Sequence, residues 1–207
     1  MAPATLALAV LTALVSAAIS IGGLEDQAAV AGGFMPLRAT LLAAGDGAGL
    51  VSWLLTPLTA TLIHGGVMHL AFNLITLIFC GMAVERVTGS GGALVLYLVG
   101  AYAACAAQWA AGPHSSVPMI GASGAASALV GAYALLYGRA RTRDIGPVPG
   151  WLLHVLWLLA AWTVLNLAIG LLSVQAGMPI AAAAHIGGFL AGLLLCRPLL
   201  LWRWRRA

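Results

Sequence analysis

Long apolar blocks alternate with short polar or glycine-rich stretches along the whole chain. A hydrocarbon core of ~30 Å takes about 20 consecutive apolar residues per helical span. Blocks of that length occur at about 4–22, 61–83, 92–111, 121–138, 151–173 and 181–201, which predicts six transmembrane helices. They fill the chain, so the expected architecture is all-α: one polytopic bundle over residues 1–207, with a single long loop at 23–60 and no soluble domain. No internal repeat is visible. The first block ends in small residues, "LVSAAIS", that suit a cleavage site, but residues 1–23 hold no Lys or Arg. The basic start of a secretory signal is missing, and the block is expected to stay as a span.

Composition agrees. The chain is 62% hydrophobic and 7% charged, with mean hydropathy +1.04, whereas soluble domains carry about 25% charged residues. The polar residues are few enough to read singly. Cys80, Cys105 and Cys196 all fall inside apolar blocks and are odd in number; they read as packing residues, with no disulfide and no metal. All nine basic residues are arginine, and eight of them end or follow blocks two, four and six: Arg86, then Arg139, Arg141 and Arg143, then Arg197, Arg203, Arg205 and Arg206. The positive-inside bias makes that side cytoplasmic. Both termini are then cytoplasmic, and Glu25, Asp26 and Asp46 in the long loop are outside. A pI of 9.4 in this setting signals topology and lipid head groups, not nucleic acid.

Blocks two, four and six therefore all begin at the outer face, and the unusual polar residues lie at these beginnings. Block two opens "LIHGGVMHLAFN", with His64 at its mouth and His69 and Asn73 four apart on one face. Block four opens with Gly121, Ser123 and Gly124. Block six carries His185, Gly188 and Gly192 on one face, and block four has a matching small face at Gly124, Ala128 and Gly131. Small faces let membrane helices approach closely, so blocks four and six are predicted to pack together. That sets Ser123 and His185 at similar depth, with His69 and Asn73 in reach. Gly and Ser alone are ordinary packing residues at membrane helix contacts. An ionisable side chain in hydrocarbon is costly and points to function.

Three chemistries compete for these residues. Zinc takes imidazole readily, but no carboxylate lies within a span, and His64 and His69 are five apart, off a common face. Transport goes with inverted repeats and intramembrane acids, and neither is evident. Nucleophilic catalysis needs a serine, an adjacent base and donors for an oxyanion; Ser123, His185 and the pair His69 and Asn73 supply these. The first turn of a helix leaves its N–H groups free, and glycines allow a tight turn and close approach. Gly121 and Gly124 around Ser123 then make sense as the frame of a nucleophile at a helix start. No Asp or Glu is near to orient the histidine, so the reading is a Ser–His dyad in which packing fixes the imidazole. Block five shows no comparable polar residue at its outer end.

These motifs resemble those of rhomboid intramembrane serine proteases. The family's H-x4-H-x3-N appears as His64, His69 and Asn73, its G-x-S-G as Gly121 to Gly124, and its A-H-x-x-G-x-x-x-G as Ala184, His185, Gly188 and Gly192. "ERVTGS", Glu85 to Ser90, resembles the family's E-x3-GS segment. The resemblance implies a six-helix bundle with a cavity open to the outside, Ser123 as nucleophile and His185 as general base. It implies an oxyanion hole from His69, Asn73 and the Ser123 backbone, with His64, Gly121, Gly124, Gly188 and Gly192 in support. It implies no cofactor, a long loop lying partly in the outer leaflet, and single-span membrane proteins as partners, cut near their outer ends in a bacterial inner membrane. Two departures stand out. Ser127 replaces the aromatic that in the family stacks on the catalytic histidine, which leaves a block-five aromatic such as Trp157 or Trp162 to support it. In the first loop, Trp53 is followed by Leu54 instead of arginine. The non-catalytic alternative is a rhomboid-like pseudoprotease that binds transmembrane helices; such proteins typically lose the Ser or the His.

Overall fold

Helices in hydrocarbon gain little by hiding large apolar side chains from lipid; how closely backbones approach decides their packing. The interior here follows that rule. Ala, Gly, Ser and Thr make up much of what is buried, with Leu77, Val84, Leu96, Leu129 and Phe189 among the larger fillers, while Leu14, Phe79, Val164 and Leu194 face outward. The structure is a computed structural model that describes residues 2–43, 52–138, 143–175 and 180–205. Asp46, Arg139, Arg141 and Arg206, used above for orientation, lie outside the described residues.

The elements are α1 (Pro3–Ile21), α2 (Glu25–Gly32), α3 (Pro36–Ala43), α4 (Thr56–Thr59) with a 3-10 turn at Ala60–Leu62, α5 (Val67–Ala111), α6 (Ser123–Tyr137), α7 (Gly150–Gln175) and α8 (Ala182–Trp204). Among the described residues, α1, α5, α8 and Gly150–Leu172 of α7 are long and apolar enough to cross a membrane, and α6 is a shorter apolar helix. α5 is not one straight rod. Gly89 adopts φ 78°, ψ 166° and divides it into arms at 67–88 and 90–111, which carry predicted blocks two and three. The first arm starts at Val67 and not at 61. A 3-10 turn fills 60–62, and Gly66, at φ 104°, bars helix until the next residue.

α5, α6 and α8 form the centre. α1 packs on α5, and α7 packs chiefly on α8. Close approach is written in small residues. A Cβ on Gly100 of α5 would meet Ala128 Cβ of α6 at 2.5 Å, and one on Gly81 would meet Thr5 Cγ2 of α1 at 2.7 Å. Cys80, Cys105 and Cys196 are buried free thiols.

The buried Glu85 ties the bundle at one end. Its carboxylate accepts from the Ala4 and Thr5 N–H groups at 3.0 and 2.7 Å, from Thr5 Oγ1 at 2.6 Å and from Ser90 Oγ at 2.7 Å. It thus caps the free donors of the α1 N-terminus and spans the Gly89 break, which is the structural work of the "ERVTGS" segment. At the other end, the segment before α6 is stitched to the long loop. Phe34 and Met119 exchange backbone hydrogen bonds of 3.0 and 2.7 Å, and Gly121 N–H donates to Ala60 O at 2.8 Å. Those bonds set the turn that precedes Ser123.

Candidate active site

α6 and α8 lie so close that glycine is obligatory between them. A Cβ on Gly188 would overlap Gly124 O, one on Gly192 would overlap Ala128 O, and one on Gly131 would overlap Phe189 O. The predicted pairing of the two small faces is thus observed. It brings Ser123, the first residue of α6, against His185 in the first turn of α8, with Ser123 Oγ 2.8 Å from His185 Nε2. Gly124 also faces α5, where a Cβ would stand 2.6 Å from Ala104 Cβ.

Ser123 at a helix start has free donors beside it. The first helical bond of α6 runs from Ala126 N–H to Ala122 O at 2.8 Å, so the N–H groups of Ser123 and Gly124 are unclaimed by the ladder. Gly121 turns the chain into the helix at φ 108°, a region that favours glycine. A Cβ there would also lie 2.7 Å from His69 Nε2 and 3.7 Å from Ser123 Oγ. His69 and Ser123 therefore flank the same glycine. Asn73 is buried one turn beyond His69 and uses one amide hydrogen on His69 O at 2.8 Å. The amide carries a second hydrogen, and the side chain also interacts with that of His64.

His64 is 2% exposed and sits in a closed relay. Ala122 N–H donates to His64 Nε2 at 3.3 Å, which puts the ring hydrogen on Nδ1 for donation to Ser16 Oγ at 2.8 Å, and Ser16 in turn donates to Leu62 O at 2.8 Å. The tautomer is assigned from this network. His64 thereby joins α1, the 3-10 turn and the residue before Ser123. Its contact with the site runs through the Ala122 backbone, through Asn73 and through His69, whose ring centroid is 5.0 Å away.

Two expectations are corrected. Packing alone does not hold the imidazole: His185 Nδ1 lies 2.7 Å from Asn166 Oδ1 of α7. And α7 is not bare of polar residues on the site side, since it carries this asparagine. Asn166 stands in the apolar run "WTVLNLAIG" four residues after Trp162, so the two share a helical face; that spacing was the available signal. Trp162 Nε1–H donates to His185 O at 3.2 Å, and its ring stacks on Phe189 of α8 with centroids 4.9 Å apart. Trp157, the other aromatic considered, is 65% exposed. Ser127 donates to Ser123 O within its own helix at 2.8 Å. Among the described residues, no group of three His, Cys, Asp or Glu side chains is placed to hold a metal ion.

The Rhomboid domain family model matches residues 51–202. The rhomboid protease GlpG of Pectobacterium atrosepticum is 34% identical over 137 residues, which is 65% of this chain and 44% of that protein. The rhomboid protease GluP of Bacillus subtilis is 34% identical over 135 residues, 65% of this chain and 24% of that one. The rhomboid protease GlpG of Yersinia enterocolitica is 32% identical over 163 residues, 73% of this chain and 54% of that one. The chain thus spans between about a quarter and about half the length of these relatives.

Proposed function

The chain belongs to the rhomboid family, and from that premise we propose that it is an intramembrane serine endopeptidase cutting single-span membrane proteins near the outer face. The observation that carries the reading is the 2.8 Å contact between Ser123 Oγ and His185 Nε2. A serine hydroxyl is a weak nucleophile until a base takes its proton. In the proposed reaction His185 Nε2 accepts that proton as Oγ attacks the peptide carbonyl carbon. The oxyanion is met by the Ser123 N–H, by His69 and by the second Asn73 amide hydrogen. His185 then protonates the leaving amine, and a water molecule, deprotonated by the same nitrogen, releases the acyl group.

The rest of the proposal follows from hydrolysis needing water. All of 1–207 acts as one six-span bundle, with the two arms of α5 and the short α6 counted as spans. The arginine bias puts the Ser123 end on the extracytoplasmic side of a bacterial inner membrane, so the site opens to external water. A substrate helix must unwind before its peptide bond reaches Ser123, which selects helices with small or helix-breaking residues near the outer end.

The test is cleavage in liposomes by the purified chain. A single-span membrane protein with glycine and alanine near its outer helix end is expected to be cut there. Ser123→Ala is expected to yield no product while keeping the wild-type melting temperature. Wild-type turnover by Ser123→Ala sinks the catalytic assignment. A wild-type chain that binds the substrate but never cuts it supports a helix-binding protein instead.

A further inference from the structure

A neutral imidazole has one donor nitrogen and one acceptor nitrogen. For His185 Nε2 to take the Ser123 proton, its lone pair must point at Oγ, and the ring hydrogen must sit on Nδ1. The tautomer is therefore set by whatever faces Nδ1. Here that atom is Asn166 Oδ1, at 2.7 Å. An amide oxygen only accepts, so this contact requires hydrogen on Nδ1.

The amide orientation is itself fixed. Asn166 Nδ2 donates to Trp162 O at 3.0 Å. With the amide reversed, Oδ1 would face the Trp162 carbonyl, acceptor against acceptor. Nδ2 would then face His185 Nδ1 and drive the ring hydrogen onto Nε2, where it points at the serine. The hydrogen-bond network permits only the first arrangement. Burial supports a specific role. Asn166 is 4% exposed, while its neighbours Leu165 and Leu167 are 50% and 57% exposed. The polar side chain is covered because it meets α8. Trp162 clamps the same helix from one turn earlier, through its bond to His185 O and its stacking on Phe189. Ser127 offers His185 no ring to stack on, and its hydroxyl is bonded within α6.

We propose that Asn166 is a positioning residue, which holds His185 in the Nδ1–H tautomer and at the angle that aims Nε2 at Ser123. Asparagine suits a membrane interior. It accepts the Nδ1–H bond without bringing a second charge into hydrocarbon, which a carboxylate does at greater cost. An Asn in this place serves the cysteine–histidine–asparagine proteases on an unrelated fold. The kinetic part of the inference rests on the protease reading above; the tautomer part does not.

Asn166→Leu keeps the branch at Cγ and removes the acceptor, whereas Asn166→Asp keeps the acceptor; both lose the Nδ2 bond to Trp162 O. Two measurements on the full chain in detergent separate the roles. In ¹⁵N NMR of histidine-labelled protein, the wild type is expected to show His185 with a protonated Nδ1 and a bare Nε2. Asn166→Leu is expected to lose that pattern and Asn166→Asp to keep it. In substrate cleavage, Asn166→Leu is expected to lower kcat about 10- to 100-fold, a fraction of what a general base contributes, with KM within about twofold of wild type. Asn166→Asp is expected to recover most of kcat. A His185 tautomer unchanged in Asn166→Leu overturns the proposal. So does kcat held at wild type, or an equal kcat loss in both variants. A wild type that cuts nothing sinks the protease reading alone, and the tautomer pattern still decides the role of Asn166.

Discussion

In the proposed reaction the chemistry falls to four side chains on three helices, Ser123, His185, His69 and Asn73, and to the Ser123 N–H group. Ser123 and His185 act as one unit in this account, since neither the hydroxyl nor the imidazole does the first step alone. His185→Ala is therefore expected to lose as much turnover as Ser123→Ala, and the double variant no more than either. Rates measured for the three proteins at saturating substrate check this; two modest losses that multiply contradict it. His185, His69 and Asn73 are legible in the sequence because imidazole and amide groups are rare in spans and costly there, and Ser123 because it stands with them at the head of a span. Asn166 is as rare, and its spacing from Trp162 sets the two on one face, but the imidazole it meets is on α8. Its meaning lies in the meeting of α7 and α8, which periodicity on one helix does not reveal. His64 was legible as a polar residue at the mouth of block two, but it lies before α5 begins at Val67, and its bond to Ala122 N–H depends on the turn at Gly121 and so on the fold.

At the scale of elements, contact between α6 and α8 is controlled by glycine against backbone. A Cβ on Gly188 overlaps Gly124 O, while one on Gly91, in the second arm of α5, meets nothing within 4 Å. Gly188→Ala must push the two helices apart and is expected to cost about 1–3 kcal/mol, the usual range for overpacking. It should also lower activity, because Ser123 and His185 ride on the separated helices. Gly91→Ala is expected to leave the melting temperature unchanged or raise it slightly, since alanine restricts the unfolded chain. Thermal unfolding of both in one detergent distinguishes the cases; equal shifts contradict the packing account. The small faces that meet here were readable as i, i+4, i+7 patterns. Helix starts were less so. "HGG" before Val67 and "GA" before Ser123 look like continuing apolar blocks by hydropathy, but Gly66 and Gly121 hold positive φ and delay each helix.

For the whole molecule, the two ends of the bundle differ. Arg203 of α8 donates to the carbonyls of Glu85 and Arg86 at 3.5 and 3.3 Å, and Tyr137 of α6 donates to Ala83 O at 3.1 Å. The C-terminal ends of α6 and α8 thus gather beside Glu85 and Arg86 at one end of the bundle, and Ser123 and His185 stand at the opposite ends of α6 and α8. Val117, 64% exposed before α6, and Ile145, 69% exposed before α7, are positions that test the proposed sidedness. Cysteine at 117 is expected to react with an impermeant thiol reagent added outside, and cysteine at 145 only after the membrane is breached; the native thiols are buried. The reverse pattern inverts the topology. The proposed sidedness rests on the apolar blocks and the arginine bias, because a bilayer constrains length and charge more tightly than water does.

The central claim is that Ser123 is a nucleophile activated by His185. The most direct measurement is covalent capture by a fluorophosphonate, followed by mapping of the modified peptide. The account predicts a single adduct on Ser123 in the wild type and none in Ser123→Ala or His185→Ala. An adduct elsewhere, or equal labelling of Ser123 when His185 is alanine, contradicts it.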